Sequence, residues 1–187
     1  MLEFFQPDEY VASVFEIDLE NLKEKGIEAL IIDIDNTLVS WDTKTADKKL
    51  LEWFELLEEL EFKVCLLSNN TKDRVVKFTE TIRIPAIYRA VKPRKKAFRK
   101  AMALMGKTPP VTAIIGDQIF TDIFGGKRFG LYALLVMPIN EREFFTTRLV
   151  RRLERKILEN LMLRGKLVKP CINKEKKQNS SKAKKDL

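Results

Sequence analysis

An apolar run at residues 29–32 leads directly into two aspartates, Asp33 and Asp35. A strand with one face in water alternates apolar and polar residues, so a continuous apolar run is typical of a central strand covered on both faces. The two aspartates are therefore predicted to lie at the carboxyl end of a buried strand. In open parallel sheets, that end is where ligands bind.

Further apolar segments alternate with segments of helical periodicity. After the first strand, which begins at Ile27, strands are predicted at 63–67, 87–88, 111–115 and 131–136. Helices are predicted at 18–26, from within 42–46 to about 60, from Thr71 to before Pro85, from Pro93 to Gly106, around Gly125 and Gly126, and at 141–164. This alternation predicts a Rossmann-like, three-layer α/β/α sandwich with a mainly parallel central sheet.

The chain contains no histidine. This excludes His-ligated metals, Ser-His-Asp and Cys-His catalysis, and acid–base chemistry by histidine. Carboxylates must therefore perform any acid–base work. The two cysteines, Cys65 and Cys171, have neither metal-ligand nor redox spacing, so we expect a reducing compartment.

The net charge of +8 is concentrated at the C-terminal end of the chain. Residues 165–187 contain eight lysines and two acidic residues, residues 141–164 carry a net charge of +3, and residues 1–140 carry −1. We therefore expect an α/β domain at 1–140, a basic amphipathic helix at 141–164 and a Lys-rich flexible tail at 165–187. The tail lacks the apolar content to fold alone.

Each of four strands is followed by a polar group of a different kind. In chain order these groups are Asp33 with Asp35, Ser68 with Asn69, Lys92, and Asp117 with Asp122. Because parallel strands place their carboxyl ends on one edge of the sheet, we expect the groups to converge. Oxygen ligands suit Mg²⁺, while Ser68 can donate to a phosphate oxygen and Lys92 can neutralise it. The pattern predicts a metal-assisted phosphoryl-transfer site.

Each of these residues also has a structural interpretation. An isolated Asp-x-Asp pair is common, and Thr37 and Ser68 are typical of turns and caps. Lys92 precedes a predicted helix start, where a cation opposes the helix dipole and a bound anion explains its position, although two further lysines lie in the same turn. Asp122 suits the dipole of a helix start and has a structural explanation as well. The order of the four groups along the chain favours the catalytic interpretation.

These groups resemble the four ordered motifs of the haloacid dehalogenase (HAD) superfamily of phosphatases. The matching segments, within about residues 27–138, are Asp33-Ile-Asp-Asn-Thr-Leu, Ser68-Asn-Asn, Lys92-Pro and Gly116-Asp117-Gln-x-x-Thr-Asp122. The lead at residues 5–10, with Asp35-Asn-Thr-Leu-Val-x-Trp41 and Gly116-Asp-Gln, resembles the HAD-IIIA, YqeG-type branch. That branch is similar to phosphatidylglycerophosphate phosphatases, so the resemblance implies a lipid phosphate as substrate.

The resemblance also implies a role for each acidic residue. Asp33 would be the nucleophile that forms an aspartyl-phosphate, and Asp35 would protonate the leaving oxygen and then activate water. A Mg²⁺ ion would be held by Asp33, the backbone carbonyl of Asp35 and Asp117. Asp122 would lie close to the ion or act through water.

The resemblance further implies that Ser68 and Lys92 bind the phosphoryl group, with Asn69 and Thr37 as secondary candidates. Only one helix fits between the first two motifs, and only a helix and a short strand fit between the next two. We therefore predict no large cap domain. An open site of this kind accepts a bulky substrate or one embedded in another surface.

The helix predicted at 141–164 is amphipathic. Its arginines, Arg151 among them, lie mainly opposite an apolar stripe formed by Phe145, Leu149, Leu153, Ile157 and Leu161. The stripe either docks on the domain or lies in a membrane interface, with the basic side and tail toward anionic head groups. One alternative is an RNA- or ribosome-associated protein with the domain as scaffold, and another is a phosphatase of soluble substrates or proteins.

No apolar run approaches the length needed to cross a bilayer, and residues 1–10 carry acids instead of a basic start followed by an apolar core. We therefore expect a soluble or peripheral protein. Its expected location is the cytoplasm, including the inner face of the membrane.

Overall fold

Parallel strands form one sheet at the centre of the molecule. The structure is a computed structural model that describes residues 2–80, 82–140 and 145–170. Within these residues the sheet has six strands, which are β1 (Glu9–Val11), β2 (Ala29–Ile32), β3 (Lys63–Leu67), β4 (Ala86–Ile87), β5 (Thr112–Gly116) and β6 (Tyr132–Val136). Their order is β1-β6-β5-β2-β3-β4, and every neighbouring pair is parallel. The predicted mainly parallel sheet is confirmed.

The strand order changes direction at β2. From β2 the chain proceeds through β3 and β4 on one side, and then places β5 and β6 on the other side. Ile32 at the end of β2 is in register with Leu66 of β3 and Ile115 of β5. Such a switch point leaves a crevice at the carboxyl edge of an open sheet. Asp33 and Asp35 follow β2 at this edge.

The apolar pattern does not predict strand β1. This strand runs beside β6, with Glu9 opposite Leu134 and Val11 opposite Val136. Its three residues, two of them polar or amphipathic, give neither a long run nor a clear alternation. The edge of the sheet therefore extends one strand further than predicted.

Helices cover both faces of the sheet. In the part of the chain that the structure describes, the α-helices are α1 (Leu19–Glu24), α2 (Lys48–Glu59), α3 (Lys72–Thr79), α4 (Lys95–Met105), α5 (Phe124–Lys127) and α6 (Phe145–Leu163). A π-helical turn, Ile119–Ile123, precedes α5. The layer order helix–sheet–helix agrees with the predicted sandwich.

Helix α2 begins later than predicted. It begins at Lys48 and not within 42–46, because Asp47 is its N-cap and accepts the backbone N–H of Leu50 at 2.8 Å. Helix α1 has the predicted cap, since the Asp18 carboxylate accepts the backbone N–H of Asn21 at 2.9 Å. A side-chain cap therefore fixes the start of each of these helices.

Helix α4 also begins later than predicted. Its N-cap is Arg94, whose backbone is extended, so Pro93 lies before the helix and not in its first turn. The end is as predicted, at Gly106, which has a left-handed φ of 64°. Lys92 is consequently further from the helix start than predicted, so the dipole of α4 no longer argues for a bound anion beside it.

Apolar side chains pack on both faces of the sheet. Leu30 and Ile32 of β2 join the buried cluster that includes α1, α2 and α3. Ala29 and Ile31, which alternate with them, join the cluster that includes α4. Strand β2 is therefore covered on both faces, as its continuous apolar run predicts.

Helix α6 packs on the same face as α4. Leu161 is buried, and Ile157 and Leu158 pack against the cluster of that face. Leu153, which the predicted stripe includes, is 50% exposed. A step of four residues turns a helix roughly 40° beyond one full turn, so a stripe made of such steps winds around the helix. Only part of the predicted stripe therefore faces the body.

Some predicted features lie outside the described residues. These are residues 141–144 of the predicted C-terminal helix, the side chains of Phe145 and Leu149 in the stripe, and residues 171–187 of the predicted tail. Among the helices that the structure describes, none has both the length and the apolar content to cross a bilayer.

Candidate active site

Two neighbouring strands bring the first and fourth motifs together. The N–H of Asp33 donates to the carbonyl of Ile115 on β5 at 2.9 Å, just beyond the end of β2. Strand β5 in turn ends at Gly116, and Asp117 follows it. Because β2 and β5 are adjacent, Asp33 and Asp117 leave the sheet side by side.

Three buried carboxylates form a cluster at this edge of the sheet. One oxygen from each of Asp33, Asp117 and Asp122 lies within 4.8 Å of the others, and the residues are 6%, 3% and 0% exposed. Buried like charges require compensating positive charge. Carboxylate oxygens are the ligands that Mg²⁺ prefers. In donor type and charge, the cluster fits a small divalent cation.

Lys92 supplies part of the positive charge. Its Nζ contacts Oδ1 of Asp33 and lies 2.6 Å from Oδ1 of Asp122. Burial alone lowers the pKa of Lys92, but the Asp122 and Asp33 carboxylates outweigh it and raise the pKa above its ordinary value. Lys92 is therefore a permanent cation beside Asp33.

The carboxylates themselves are held in an environment short of positive charge. Burial raises the pKa of Asp33 well above its usual range, Lys92 opposes the rise, and Asp122 and Asp117 add to it. Burial also raises the pKa of Asp117 to about 6, against the guanidinium of Arg151. Lys92 and Arg151 provide two positive charges for three carboxylates, so a bound cation would relieve the remaining excess.

The loop after β5 fixes Asp122. A Cβ atom at Gly116 would lie 2.4 Å from Cγ of Asp122, so only glycine leaves room for this carboxylate. Oδ2 of Asp122 accepts the backbone N–H of Gln118 at 3.2 Å and the hydroxyl of Thr121 at 3.3 Å. Asp122 thus both stabilises the loop and belongs to the carboxylate cluster.

The side chain of Asp35 lies in a separate polar group. Its Oδ1 accepts from Nε of Arg74 at 3.2 Å and lies 3.1 Å from Nη2 of the same guanidinium. Its Oδ2 accepts from the Ser68 hydroxyl at 3.2 Å and from the side-chain amide of Asn70 at 3.4 Å. The Asp35 carboxylate therefore does not take part in the three-carboxylate cluster, and metal binding by its backbone carbonyl stays a prediction.

Hydrogen bonds connect the motifs to one another. Oδ1 of Asn69 accepts the backbone N–H of Lys92 at 2.7 Å, which joins the second motif to the third. The Thr37 hydroxyl donates to Oδ1 of Asp117 at 3.4 Å, which joins the first to the fourth. Ser68 is buried beside them. The structure thus brings all the predicted site residues to one edge of the sheet, while phosphate binding by Ser68, Asn69 and Lys92 stays a prediction.

The sequence pattern does not identify Arg74, and the position that it predicts for Arg151 is wrong. It places Arg151 away from the body, yet Nη1 of Arg151 donates to the carbonyl of Asp117 at 2.6 Å and Nη2 contacts Oδ2 of Asp117. The buried Glu154 accepts from Nη1 of Arg151 at 3.0 Å and from the backbone N–H of Phe120 at 3.1 Å. No sequence pattern points to Arg151. Arg74 has one signal, since it lies in the first turn of the helix that follows the second motif.

A pocket of about 370 Å³ lies over these groups, and its lining residues are Asp33, Asp35, Asn36, Trp41, Ser68, Asn69, Asn70, Lys92, Gln118 and Thr121. Trp41 is 43% exposed and adds an aromatic surface to the polar lining.

Between the first two motifs the chain forms α2 and β3, and between the next two it forms α3 and β4. The predicted absence of a large cap domain is confirmed for these segments.

The chain is similar to phosphatases over most of its length. Residues 90–138 match the family described as HAD-hydrolase-like. The Bacillus subtilis (strain 168) protein named Probable phosphatase YqeG is 44% identical over 163 residues, which are 87% of this chain and 95% of that protein. The Arabidopsis thaliana protein named Phosphatidylglycerophosphate phosphatase 1, chloroplastic/mitochondrial, is 30% identical over 179 residues. The match covers 87% of this chain and 50% of that protein.

Solved structures share the same architecture. The crystal structure of an uncharacterized protein from Listeria monocytogenes serotype 4b has a TM-score of 0.50 to this chain at 16% identity. The superposition covers 78% of this chain and 91% of that one. At this identity the likeness concerns the fold alone.

Proposed function

The chain belongs to the HAD family and is a phosphatase, and we propose that it hydrolyses phosphate monoesters through an aspartyl-phosphate on Asp33. The observation that carries this proposal is the position of Asp33. It lies at the switch point of the sheet, in contact with Lys92 and within 4.8 Å of Asp117 and Asp122. A carboxylate nucleophile beside fixed positive charge suits attack on an anionic phosphate.

The first step transfers the phosphoryl group to the protein. A carboxylate oxygen of Asp33 bonds to phosphorus while the bond from phosphorus to the leaving oxygen breaks, and Asp35 gives its proton to that oxygen. In the second step Asp35 takes a proton from water, and the water oxygen attacks phosphorus. The phosphate leaves and the Asp33 carboxylate is restored. Two carboxylates therefore suffice for a chain without histidine.

Asp33, Asp117 and Asp122 would hold a Mg²⁺ ion, with the backbone carbonyl of Asp35 as a further ligand. The fit rests on three buried oxygen donors within 4.8 Å of one another and on their excess negative charge. When bound, the ion supplies charge neutralisation to the phosphate in the transition state. Lys92, whose Nζ contacts Asp33, would add positive charge for the phosphate, and Ser68 and Asn69 would orient its oxygens.

The proposed substrate is a phospholipid phosphate such as phosphatidylglycerophosphate. One support is the Arabidopsis thaliana relative, whose name specifies that substrate and half of whose length this chain spans. A second support is the pocket, which has no large cap over it in the described segments and carries Trp41 at 43% exposure. An uncapped pocket can reach a phosphate that is still attached to a lipid in a surface.

The outer side of α6 would hold the enzyme at that surface. Arg155 and Lys156 are exposed on the helix, and Leu163 and Val168, which are 87% and 83% exposed, lie at and beyond its end. Basic and apolar side chains on one exposed segment favour contact with anionic head groups and acyl chains. The proposed location is therefore peripheral, at a cytoplasmic membrane surface.

The test is phosphate release from vesicles that contain phosphatidylglycerophosphate, compared with release from soluble p-nitrophenyl phosphate. We expect Mg²⁺-dependent release from both, with the higher kcat/KM for the lipid. Release from the soluble substrate alone would refute the lipid proposal and leave the phosphatase chemistry intact. No release from either substrate would contradict the hydrolysis mechanism.

Vesicle pelleting separates the membrane surface from the RNA alternative. The double variant Arg155→Glu/Lys156→Glu should lose binding to anionic vesicles, whereas Lys72→Glu/Lys77→Glu, on exposed positions of α3, should retain it. Binding of the full chain to RNA with none to vesicles would refute the membrane proposal and support an RNA- or ribosome-associated protein.

A further inference from the structure

Arg74 makes the closest set of contacts to the proposed acid–base residue. Its Nε and Nη2 both lie near Oδ1 of Asp35, at 3.2 and 3.1 Å. The side chains of Arg74 and Asp35 are only 13% and 21% exposed. Two nitrogens on one oxygen fix the position of Oδ1, and Ser68 and Asn70 on Oδ2 complete the orientation of the carboxylate.

The guanidinium of Arg74 is itself held in place. Its Nη2 donates to the carbonyl of Ser40 at 3.4 Å, in the loop that also carries Trp41. Its carbon atom Cζ lies 5.9 Å from the centre of the Phe78 ring, one helical turn further along α3. The loop after β2 and helix α3 thus both restrict the position of Arg74.

Helix α3 does not stabilise an arginine at position 74. Arg74 lies in the first turn of α3, where the helix dipole disfavours a cation. The compensating charge comes from Asp35, which is 39 residues away in sequence. The second oxygen of Asp35 is bound by Ser68 and Asn70, at 3.2 and 3.4 Å. Helix α3 therefore holds one carboxylate oxygen of Asp35, and the loop after β3 holds the other.

We infer that Arg74 is a positioning residue that aims the Asp35 carboxylate at the leaving-group oxygen. This inference rests on the proposed function, in which Asp35 gives a proton to that oxygen as its bond to phosphorus breaks. Proton transfer needs alignment to within a fraction of an ångström, so an Asp35 carboxyl group that Arg74 no longer holds in place delivers its proton less effectively. Arg74 does not contact Asp33, so the attack of Asp33 on phosphorus should not depend on Arg74.

The dependence on the leaving group distinguishes this role from a general structural role. p-Nitrophenolate leaves without a proton, whereas an alkoxide such as that of glycerol phosphate must be protonated as it leaves. The quantity to measure is kcat/KM, which reports formation of the aspartyl-phosphate and not its later hydrolysis. The experiment compares the full chain, Arg74→Met, Arg74→Lys and the control Lys77→Met, an exposed position on the same helix.

We expect Arg74→Met to lower kcat/KM about 100-fold for the alkyl phosphate and only about 3-fold for p-nitrophenyl phosphate. Arg74→Lys keeps the charge but loses the two-nitrogen contact, so it should lose about 10-fold for the alkyl phosphate alone. Lys77→Met should match the full chain with both substrates. Arg74→Lys also keeps the test valid if Arg74→Met does not fold.

Equal losses with both substrates, or no loss with either, would overturn the inference. Those results leave the proposed function intact, because the unaltered chain still hydrolyses both substrates. If the unaltered chain hydrolyses neither substrate, the proposed function fails before Arg74 is tested. The two failures are therefore distinguishable in one experiment.

Discussion

Arg151 on α6 binds Asp117 twice, through the backbone carbonyl at 2.6 Å and through the carboxylate. The Asp117 side chain is fully buried and that of Arg151 is 15% exposed. Glu154, one turn further along α6, accepts the backbone N–H of Phe120 in the same loop. The C-terminal helix therefore contacts the loop that carries two of the candidate metal ligands, and it is not an independent appendage.

Replacing Arg151 should destabilise the metal-free protein. Arg151→Ala leaves the buried Asp117 carboxylate without its guanidinium, and we expect the free energy of unfolding to fall by about 2 kcal/mol. Arg152→Ala, an exposed neighbour with the same change of charge, should change it by less than about 0.5 kcal/mol. Urea denaturation without metal measures both. Equal unfolding midpoints for the two variants would show that the Asp117 contact contributes nothing.

Asp33→Asn should abolish phosphate release. An amide is not a nucleophile of useful strength toward phosphorus, so we expect a loss of at least about 10³-fold in kcat. The substitution nearly preserves the volume of the side chain and removes one of the like charges in the buried cluster. The variant should therefore remain folded by circular dichroism. Undiminished turnover would exclude Asp33 as the nucleophile, and another carboxylate of the pocket would have to be sought.

Gly116→Ala should displace Asp122. The new methyl group would lie 2.4 Å from Cγ of Asp122, so the carboxylate has to move away from Lys92 and the cluster. We expect kcat to fall about 100-fold because the cluster loses a fixed member. The control is Gly106→Ala, where the methyl group meets nothing within 4 Å. Its left-handed backbone costs about 1 kcal/mol of stability, but activity should persist. Equal activity of both variants would contradict the proposed role of Gly116.

The order of the motifs and the parallel sheet made most of the site predictable. Each of four site residues follows a strand, and these residues are Asp33, Ser68, Lys92 and Asp117. Adjacent parallel strands bring residues at their carboxyl ends to one edge of the sheet, whatever the structure of the connecting segments. The convergence depends only on strand order and direction. Those two properties are encoded in short apolar runs and in the connections between them.

The remaining residues of the site depend on details of packing. Arg74 and Arg151 reach the site from helices, and which side of a helix faces the body is decided by a few apolar contacts. On α6 these contacts are made by Ile157, Leu158 and Leu161, and they turn Arg151 inward. The basic and apolar residues of α6 are equally compatible in sequence with a helix rotated so that Arg151 faces away from the body.

Cys65 should be unreactive while the protein is folded. It is fully buried on β3, and burial raises the pKa of its thiol to about 12, with Lys100 opposing. A pKa of this size leaves a thiolate fraction of about 10⁻⁴ at pH 8. In a Cys171→Ser background, a thiol reagent should label Cys65 only after urea unfolds the protein. Rapid labelling of the folded protein would show that β3 opens easily, which would contradict its central place in the sheet.

Magnesium should stabilise the folded chain. The carboxylate cluster exists only when Asp33, Asp117 and Asp122 are held together, so the ion binds the folded state in preference to the unfolded one. At a Mg²⁺ concentration 100 times the Kd, we expect about 2.7 kcal/mol of stabilisation, and addition of EDTA should reverse it. Thermal unfolding measures the effect. Asp117→Asn should remove most of the shift, whereas Asp73→Asn, an exposed carboxylate on α3, should retain it. An unchanged shift in Asp117→Asn would mean that the ion binds elsewhere on the protein.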